Sequence, residues 1–469
     1  MTHVEFEAFE YRQDQSFAPA RYRFEGDETR GWRVTRDGAT ALELGPGYRL
    51  LRTRVCGICS TDLARHFLPF PLPQVTGHEV IATDDRGTRY VVEINASHQA
   101  RGVPHECPFC RAGLATHCPQ RLVLGIHDLP GGFGPWLLVP LHACLPIPDS
   151  IEDSAAVLIE PFAAALHAVH TIAPRDGERV AVLGPRRLGM LVVAALAGVR
   201  AQRRGAFSIA ALARDPALLE LARSFGATET HLIDDRGAPL RDAAFDVVID
   251  TTGNPDALAT AVRLARREVH LKSTHGRASC GLTKLTELVV DELAIERFPE
   301  DGPLAGAPRV AWLAGAGAPA WLRSSAEVRS GDAATLAAQY ELIRDGLPRA
   351  DAVVAASAAQ IDAAIRPRAG REDALLRPRG TIFVHPTADL AGSPLLGAVV
   401  ARGLRLSTSR CGDFRQALAL LDSDAELRRI GERLVTHRFA ARSLPEAFAV
   451  AKSRACIKAV VAHSEPGKT

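Results

Sequence analysis

Several features that would assign this chain to another class of protein are missing from its 469 residues. No run of about 18 apolar residues is present, which excludes a membrane-spanning helix. The net charge is only +2 and the arginines are scattered without interleaved aromatic residues, so neither a nucleic-acid partner nor a membrane surface is expected. The acidic, polar N-terminus MTHVEFEAFEYRQDQ lacks the character of a signal peptide. Residues 1–45 also lack clear periodicity, and no strand or helix is assigned to them.

The nine cysteines do not form the pattern of a disulfide framework, because their number is odd and they include two Cys-x-x-Cys pairs. This usage is typical of a reduced, cytoplasmic, metal-binding protein. The chain is too long for a single hydrophobic core, so two or three domains are expected.

The motif GICSTD, followed some way downstream by GHE, predicts a catalytic zinc site whose candidate ligands are Cys59, His78 and Glu79. A thiolate and a neutral imidazole are zinc ligands, and the glutamate can add an oxygen or tune the histidine. A catalytic zinc needs three protein ligands and one open position, which this set provides. The alternative is a buried cysteine and a hydrogen-bonded core histidine in a β-rich domain. The combination of the two motifs favours the metal.

Glu160 is a further candidate ligand, because an acidic residue at the start of an apolar helix is costly unless it is paired or lies near a metal. The alternative is a carboxylate favoured by the N-terminal end of the helix dipole.

A second set of thiols, Cys107, Cys110 and Cys118, has the spacing of a closed structural zinc lobe. The lobe is one ligand short, since the position three residues before Cys107 is Pro104. His105 or His98 is available as the fourth ligand. The alternative is a remnant lobe with free thiols.

A dinucleotide-binding turn is predicted where the strand ERVAVL runs into GPRRLG and an apolar helix. Its candidate cofactor-binding residues are Gly184, Arg186, Leu188 and Gly189. Arg186 replaces the middle glycine that normally lets the backbone approach the pyrophosphate, so it either meets a phosphate or blocks the site. Arg214 follows the next strand, where an acidic residue would hold the ribose of NAD, and this favours NADP(H). The alternative is an exposed arginine at a strand end.

Together these residues resemble the medium-chain, zinc-dependent alcohol dehydrogenase family, most closely its threonine- and polyol-dehydrogenase-like branch. The matching stretches cover about residues 1–297 and 400–469 and are GICSTD, GHE, CPFC…HC, GGFGPW, IEP, VLGPRRLG, FDVVIDTTG, LKST and SRCG. The resemblance implies an α/β fold, with a GroES-like β domain and a Rossmann domain built on a doubly wound parallel sheet. It also implies a homodimer or homotetramer.

By the same resemblance, Cys59, His78 and Glu79 fall on the catalytic-zinc positions and Glu160 on the position of a further ligand. Thr61 would relay the substrate proton, and Asp62 would orient His78. In that family zinc polarises an alcohol or carbonyl oxygen while hydride passes between the substrate carbon and the nicotinamide.

Four departures from the family pattern stand out. Arg186 replaces a glycine, Pro104 a cysteine, and Ala64 the usual relay histidine, with His66 two residues further on. The chain is also about 100 residues too long for the family.

The additional segment contains RADAVVAASAAQIDAAI and GTIFVHPT, which echo FDVVIDTTGNPDALATAV and EVHLKST at an offset of about 105–113 residues. We therefore predict an inserted, partly duplicated Rossmann-like α/β segment, although chance similarity among alanine-rich units is the alternative. The predicted domains are a zinc domain over 1–155 completed by 432–469, a nucleotide domain over 156–297 completed by 404–431, and the insertion over 298–403.

The predicted function is a zinc-dependent oxidoreductase that transfers hydride between NADP(H) and a secondary alcohol/ketone or alcohol/aldehyde pair. The first alternative is a non-catalytic zinc-binding relative that has lost normal dinucleotide binding. The second keeps zinc chemistry without hydride transfer, as in a zinc-assisted elimination.

Overall fold

The computed structural model describes residues 2–233, 240–273, 276–315, 317–341, 346–371 and 373–463. The chain divides into two compact units, residues 1–163 with 411–469 and residues 164–410. The three-part division predicted from the sequence, with a separate insertion over 298–403, is finer than this and stays a prediction. No helix among the described residues is long and apolar enough to cross a membrane.

The strands of the described residues, in chain order, are β1 (Thr2–Tyr11), β2 (Phe17–Asp27), β3 (Gly31–Arg36), β4 (Ala39–Leu44), β5 (Tyr48–Gly57), β6 (Glu79–Thr83), β7 (Arg89–Val92), β8 (Asn95–Ala96), β9 (Leu122–Leu124), β10 (Asp128–Leu129), β11 (Trp136–Pro140), β12 (Cys144–Pro146), β13 (Arg179–Leu183), β14 (Ser208–Ala213), β15 (Glu229–Leu232), β16 (Phe245–Asp250), β17 (Ala265–Leu271), β18 (Ala294–Arg297), β19 (Arg309–Trp312), β20 (Glu327–Ser330), β21 (Ala350–Ala355), β22 (Leu376–Val384), β23 (Arg405–Thr408), β24 (Val435–Ala440) and β25 (Lys458–Ala462).

The α-helices of the described residues are α1 (Ser60–Leu63), α2 (His98–Arg101), α3 (Pro108–Arg111), α4 (Asp153–Ala156), α5 (Ile159–Ile172), α6 (Arg187–Arg203), α7 (Pro216–Ser224), α8 (Pro255–Leu264), α9 (Leu285–Val290), α10 (Ala320–Ser325), α11 (Ala333–Glu341), α12 (Ala358–Ile365), α13 (Pro394–Arg402), α14 (Phe414–Ser423), α15 (Ala425–Arg428), α16 (Ile430–Leu434) and α17 (Leu444–Ala451).

The first unit is built mainly of antiparallel sheets. Strands β1 to β4 form a four-stranded sheet in sequential order, in a region where the sequence-based reading assigned no element. The alternation of apolar and polar residues in VEFEAFEY explains β1, because side chains of a strand point alternately to the two faces. A seven-stranded sheet has the order β12-β7-β6-β5-β25-β24, with β11 also paired to β5. This arrangement confirms the predicted β-rich domain.

The second unit is built on one eleven-stranded sheet of order β15-β14-β13-β16-β17-β23-β18-β22-β21-β19-β20. Neighbouring strands are parallel except for β18 and β23, which pair antiparallel through Ile295 and Leu406. Inner strands such as β16 and β21 are short, almost continuously buried runs, as expected for a sheet covered on both faces. The predicted α/β fold class is confirmed. The stretch EVHLKST forms β17 only as far as Leu271, and Thr274 lies outside the described residues.

Candidate active site

The pairing of β5 with β6 brings the two predicted zinc motifs together. Gly57, the last residue of β5, lies opposite Glu79, the first residue of β6. Cys59 therefore follows one strand while His78 precedes its antiparallel neighbour, so residues far apart in sequence lie at the same end of the sheet. His78 is almost completely buried, whereas Cys59 is partly exposed.

Asp62 holds the two motifs in place from the interior of the first turn of α1. Its Oδ2 accepts a hydrogen bond from the backbone N–H of Cys59 at 2.8 Å, and its Oδ1 accepts one from the N–H of Gly77 at 3.2 Å. His78 Nδ1 lies 3.3 Å from the same Oδ1, a distance of an ion pair rather than of a well-aligned hydrogen bond. The predicted role of Asp62 in orienting His78 fits these distances.

The negative groups around His78 raise its pKa and would equally favour a metal cation beside the ring. Burial lowers its pKa, but the Asp62 carboxylate and the Cys59 thiol act in the opposite direction, and the net pKa is well above the usual value for histidine. An acidic neighbour at Nδ1 fixes the ring orientation and leaves Nε2 as the ligand atom. A thiol and an imidazole at the same end of a strand pair are a donor set that suits zinc.

Glu79 pairs with a residue that the sequence analysis did not single out. Its carboxylate forms a buried ion pair with Lys458 of β25, whose ammonium also donates to the Ile58 carbonyl at 3.1 Å. Burial lowers the pKa of Lys458, but the surrounding negative groups, first Glu79 and then Cys59 and Asp62, together outweigh it, so the net pKa is raised. The signal for Lys458 was a single charged residue inside the apolar strand IKAVV. Glu79 as a zinc ligand remains a prediction.

The other predicted catalytic residues, and the two residues near the usual relay position, belong to the same unit as Cys59 and His78. The Thr61 hydroxyl is 3.7 Å from the Cys59 sulfur. Glu160 is half-buried in the first turn of α5. His66, which stands two residues beyond the usual relay position, places Nδ1 3.2 Å from the Tyr11 hydroxyl. Ala64 ends α1 and has no group that can transfer a proton.

The second predicted metal site is a compact cluster in the described part of the chain. Its four ligand atoms, all within 4.8 Å of one another, belong to His98, Cys107, Cys110 and Cys118. His98 Nδ1 lies 3.4 Å from the Cys118 sulfur and 3.9 Å from the Cys110 sulfur, and the Cys107 and Cys118 sulfurs are 3.8 Å apart. Tetrahedral zinc with Zn–S bonds of about 2.3 Å separates its ligands by about 3.7 Å. The cluster therefore has the donor set and the size of a structural zinc site.

This geometry answers the question left open by Pro104. His98, from the first turn of α2, completes the set, whereas His105 stacks beside it with ring centroids 5.4 Å apart. Burial, with smaller contributions from the His105 and Arg101 charges, lowers the pKa of His98, and a neutral imidazole is the form that binds zinc. Among the described residues this is the one group of three or more candidate ligands that converges within 4.8 Å; Cys59, His78, Glu79 and Glu160 do not meet that measure.

The predicted nucleotide turn lies at the carboxyl end of β13, in the second unit. Gly184 has a φ of +78° and packs against Thr252, so its tight turn requires glycine. A Cβ on Gly189 would lie 2.6 Å from the Gly184 carbonyl oxygen, so the close approach of α6 to the turn also requires glycine. Arg186 is the residue that precedes α6, and Leu188 lies half-buried in its first turn.

Two charged residues flank this turn. Arg214 is exposed directly after β14, as the sequence predicted. Asp250, the last residue of β16, is fully buried and was not singled out from the sequence. Burial raises its pKa from 3.8 to about 6.

Three comparisons with known proteins bear on this arrangement. Residues 45–149 match the family model described as the alcohol dehydrogenase GroES-like domain. An L-threonine 3-dehydrogenase from Mesorhizobium japonicum is 34% identical over 233 residues, which are 45% of this chain and 64% of that protein. The chain thus matches somewhat less than two thirds of that relative's length.

An L-galactonate-5-dehydrogenase from Escherichia coli strain K12 is 31% identical over 245 residues, covering 47% of this chain and 67% of that protein. Among solved structures, a zinc-binding dehydrogenase from Sinorhizobium meliloti bound to NADP aligns over 98% of this chain and 99% of its own, with a TM-score of 0.56 and 19% identity. At that identity the structural likeness shows the fold.

Proposed function

We propose that this chain, which belongs to the medium-chain, zinc-dependent alcohol dehydrogenase family, transfers hydride between NADP(H) and a small secondary alcohol or its carbonyl product. The observation that carries the proposal is the meeting of Cys59 and His78 at the end of the β5–β6 pair, where Asp62 holds both. A buried core histidine would need no thiol beside it, so the arrangement favours a metal site over the structural alternative.

In the proposed site Cys59 and His78 hold a zinc ion, and Glu79 and Glu160 are the carboxylates available to complete or exchange in its ligand set. Zinc, when bound, supplies a Lewis acid that polarises the substrate oxygen. Asp62 fixes the orientation of His78, and Thr61 receives the proton of the substrate hydroxyl. Ala64 cannot pass that proton on, so the usual histidine relay is missing from the proposed site.

The proposed preference for NADP(H) depends on Arg214, which follows β14 where the ribose of a bound dinucleotide would lie. A guanidinium binds a 2′-phosphate through charge-assisted hydrogen bonds, whereas the ribose hydroxyl of NAD is usually held by an acid.

The substrate is proposed to be a small polyhydroxy or hydroxy-acid compound. The two relatives with the identities given above carry names that refer to L-threonine and L-galactonate, both polar molecules with a secondary hydroxyl group. A screen should therefore begin with hydroxy amino acids, sugar acids and polyols.

A second candidate function is a zinc-binding relative without hydride transfer, and Arg186 is the observation that favours it. The side chain stands where the family needs glycine for the pyrophosphate, next to the start of α6. Nucleotide binding by the purified protein separates the two functions.

Cys59→Ser tests the metal role directly. We expect one fewer zinc ion per chain, measured by elemental analysis, and loss of turnover in the NADPH-coupled assay. Cys144→Ser is the matched control, since the Cys144 sulfur contacts only the Pro140 carbonyl at 3.3 Å among its described hydrogen-bond partners and should leave both quantities unchanged. Full zinc content together with full activity in Cys59→Ser would refute the assignment.

Arg214→Ala tests the cofactor choice. Loss of one charge-assisted contact of about 1.5–3 kcal/mol should weaken NADPH binding about tenfold or more and leave NADH binding unchanged. Arg223→Ala, which removes an exposed arginine from the following helix α7, is the control. An unchanged ratio of the two affinities in Arg214→Ala would exclude a role of Arg214 in cofactor selection.

A further inference from the structure

The eleven-stranded sheet has an internal two-fold arrangement. Read inward from one edge, its strands are β14-β13-β16-β17, with β15 outside β14, and read inward from the other edge they are β20-β19-β21-β22. In the first half the chain forms β13, then β14 on its outer side, and after β15 it returns to form β16 on the inner side of β13. In the second half it forms β19, then β20 on its outer side, and then β21 on its inner side. The second half, which lies within residues 298–403, thus repeats the topology of the first with one outer strand missing.

The repeat extends to individual side chains. The first strand of each half begins with an arginine whose backbone N–H donates to an aspartate on the neighbouring strand: Arg179 to Asp246 Oδ2 at 2.9 Å, and Arg309 to Asp351 Oδ2 at 3.0 Å. The registers agree, because Ala181 lies opposite Val248 in one half and Ala311 lies opposite Val353 in the other. In both halves the aspartate is the second residue of its strand. Chance similarity of alanine-rich units does not explain a shared contact at a shared register.

The two halves exchange their last strands. After β17 the chain forms α9 and β18, and β18 pairs in parallel with β22 of the other half. After β22 it forms α13 and β23, and β23 pairs in parallel with β17 of the first half. The exchanged strands meet antiparallel at Ile295 and Leu406, which is where the two-fold relation places its axis.

Charged side chains also cross this seam between β18 and β23. Arg405 on β23 contacts Glu296 on β18 at 2.6 Å and Glu268 on β17 at 2.8 Å. Glu268 is almost completely buried, so Arg405 supplies a charged partner to a carboxylate that would be costly to bury unpaired.

Among the described residues of the second half, two positions of the nucleotide site carry other side chains. By the shared register, Ala314 stands at the position of Gly184, and Ala355 stands at that of Asp250. Gln360 bridges the carboxyl ends of β19 and β21. Its side chain donates to the Leu313 carbonyl at 2.8 Å and accepts from the Ala356 N–H at 2.6 Å. The helix that follows the first strand has 6 residues, compared with 17 in α6. The second half retains the strand order and the contact between the Arg309 N–H and the Asp351 carboxylate.

We infer that residues 298–403 are a built-in partner, a degenerate second copy that supplies within one chain the sheet-to-sheet contact a second chain would supply in a symmetric dimer. An antiparallel contact between identical strands at a two-fold axis is the form such a contact takes between copies, and exchange of an element between copies is a known route to it. Here both partners belong to one polypeptide. The centre of the sheet is therefore closed in cis, and any association of whole chains uses another surface.

A disulfide across the seam tests this inference. Opposed residues of an antiparallel pair have Cα atoms about 4.5–5.5 Å apart, within the range of a disulfide. Ile295→Cys with Leu406→Cys should give, after oxidation, a bond that peptide mapping assigns to these two positions and that leaves the chain at monomer mass on a non-reducing gel. Each single variant controls for the nine native cysteines. A covalent dimer linked through the two positions would overturn the inference.

A second measurement needs no variant. Both opposed residues are fully buried, so substitution can interfere with folding, whereas hydrogen exchange reads the wild-type chain. For a seam closed in cis, amide protection of β18 and β23 stays the same over a dilution of about a hundredfold, because no association equilibrium is involved. Protection that falls on dilution in these two strands, while β13 and β16 remain protected, would show a contact between chains and contradict the proposal.

Discussion

Replacing Asp250 with asparagine should change how the stability of the eleven-stranded sheet depends on pH. One carboxylate oxygen of Asp250 accepts hydrogen bonds from the Thr252 N–H at 2.9 Å and hydroxyl at 2.7 Å. The other is buried without a hydrogen-bond partner among the described residues. Burial consequently raises the pKa from 3.8 to about 6.

The size of the effect follows from that shift. A difference of about 2 pKa units corresponds to about 3 kcal/mol. The folded state favours the protonated form of Asp250. This contribution to the stability of the folded state is fully present below pH 3.8 and is lost as the pH rises through about 6. Asparagine is neutral at every pH. The free energy of unfolding of Asp250→Asn, compared with that of wild type, should therefore rise by about 2 kcal/mol from pH 4.5 to pH 8. Any difference in stability between the amide and the acid that does not depend on pH cancels, because only the change between pH 4.5 and pH 8 is compared.

The assay is urea denaturation at pH 4.5, 6 and 8 with pulsed hydrogen exchange of the β16 peptide, which follows this sheet separately from the other unit. Comparison at each pH also cancels any pH-dependent loss of metal, because wild type and variant share it. Asp301→Asn, which removes an exposed aspartate of the same unit, should show no such change. If the difference between Asp250→Asn and wild type were the same at pH 4.5 and 8, Asp250 would not be destabilised by burial and the reasoning would fail.

Three further changes test other parts of the account. His98→Ala should lose the zinc ion of the lobe while His98→Cys retains it, by elemental analysis; equal zinc in wild type and His98→Ala would exclude His98 as a ligand. Lys458→Met should lower the free energy of unfolding by about 3–5 kcal/mol, because it leaves the Glu79 carboxylate buried and unpaired. Adding Glu79→Gln should restore most of that loss, and no restoration would mean that the two residues are not coupled. Arg186→Gly should weaken NADPH binding about tenfold in a fluorescence titration if the guanidinium meets a phosphate, whereas tighter binding would show that Arg186 obstructs the turn.

The local elements around the predicted sites could be read from the sequence because their signals are local. The glycine turn at Gly184 and Gly189 follows an apolar strand and precedes an apolar helix, and the structure shows that both positions require glycine. Strand β1 was missed although its apolar and acidic residues alternate, because its exposed acidic face makes the segment polar on average.

What the sequence could not provide depends on contacts between distant residues. Neither histidine spacing nor composition distinguishes His98 from His105 as a ligand, because the choice is made by where α2 places the imidazole relative to the three thiols. Lys458 reaches Glu79 only through the pairing of β25 with β5. The sequence echoes predicted a duplication, but the exchange of β18 and β23 is a matter of strand pairing, which local patterns do not encode.

The most direct test of the proposed function is hydride transfer itself. Zinc-loaded protein is mixed with NADPH carrying deuterium at the transferred position of the nicotinamide and with carbonyl compounds derived from hydroxy amino acids, sugar acids and polyols, and the alcohol products are examined by mass spectrometry. The account predicts a product heavier by one mass unit, formed with NADPH in preference to NADH and absent in Cys59→Ser. Zinc-loaded protein that binds neither nucleotide in a tryptophan fluorescence titration would contradict it and would identify the chain as a zinc-binding relative without redox activity.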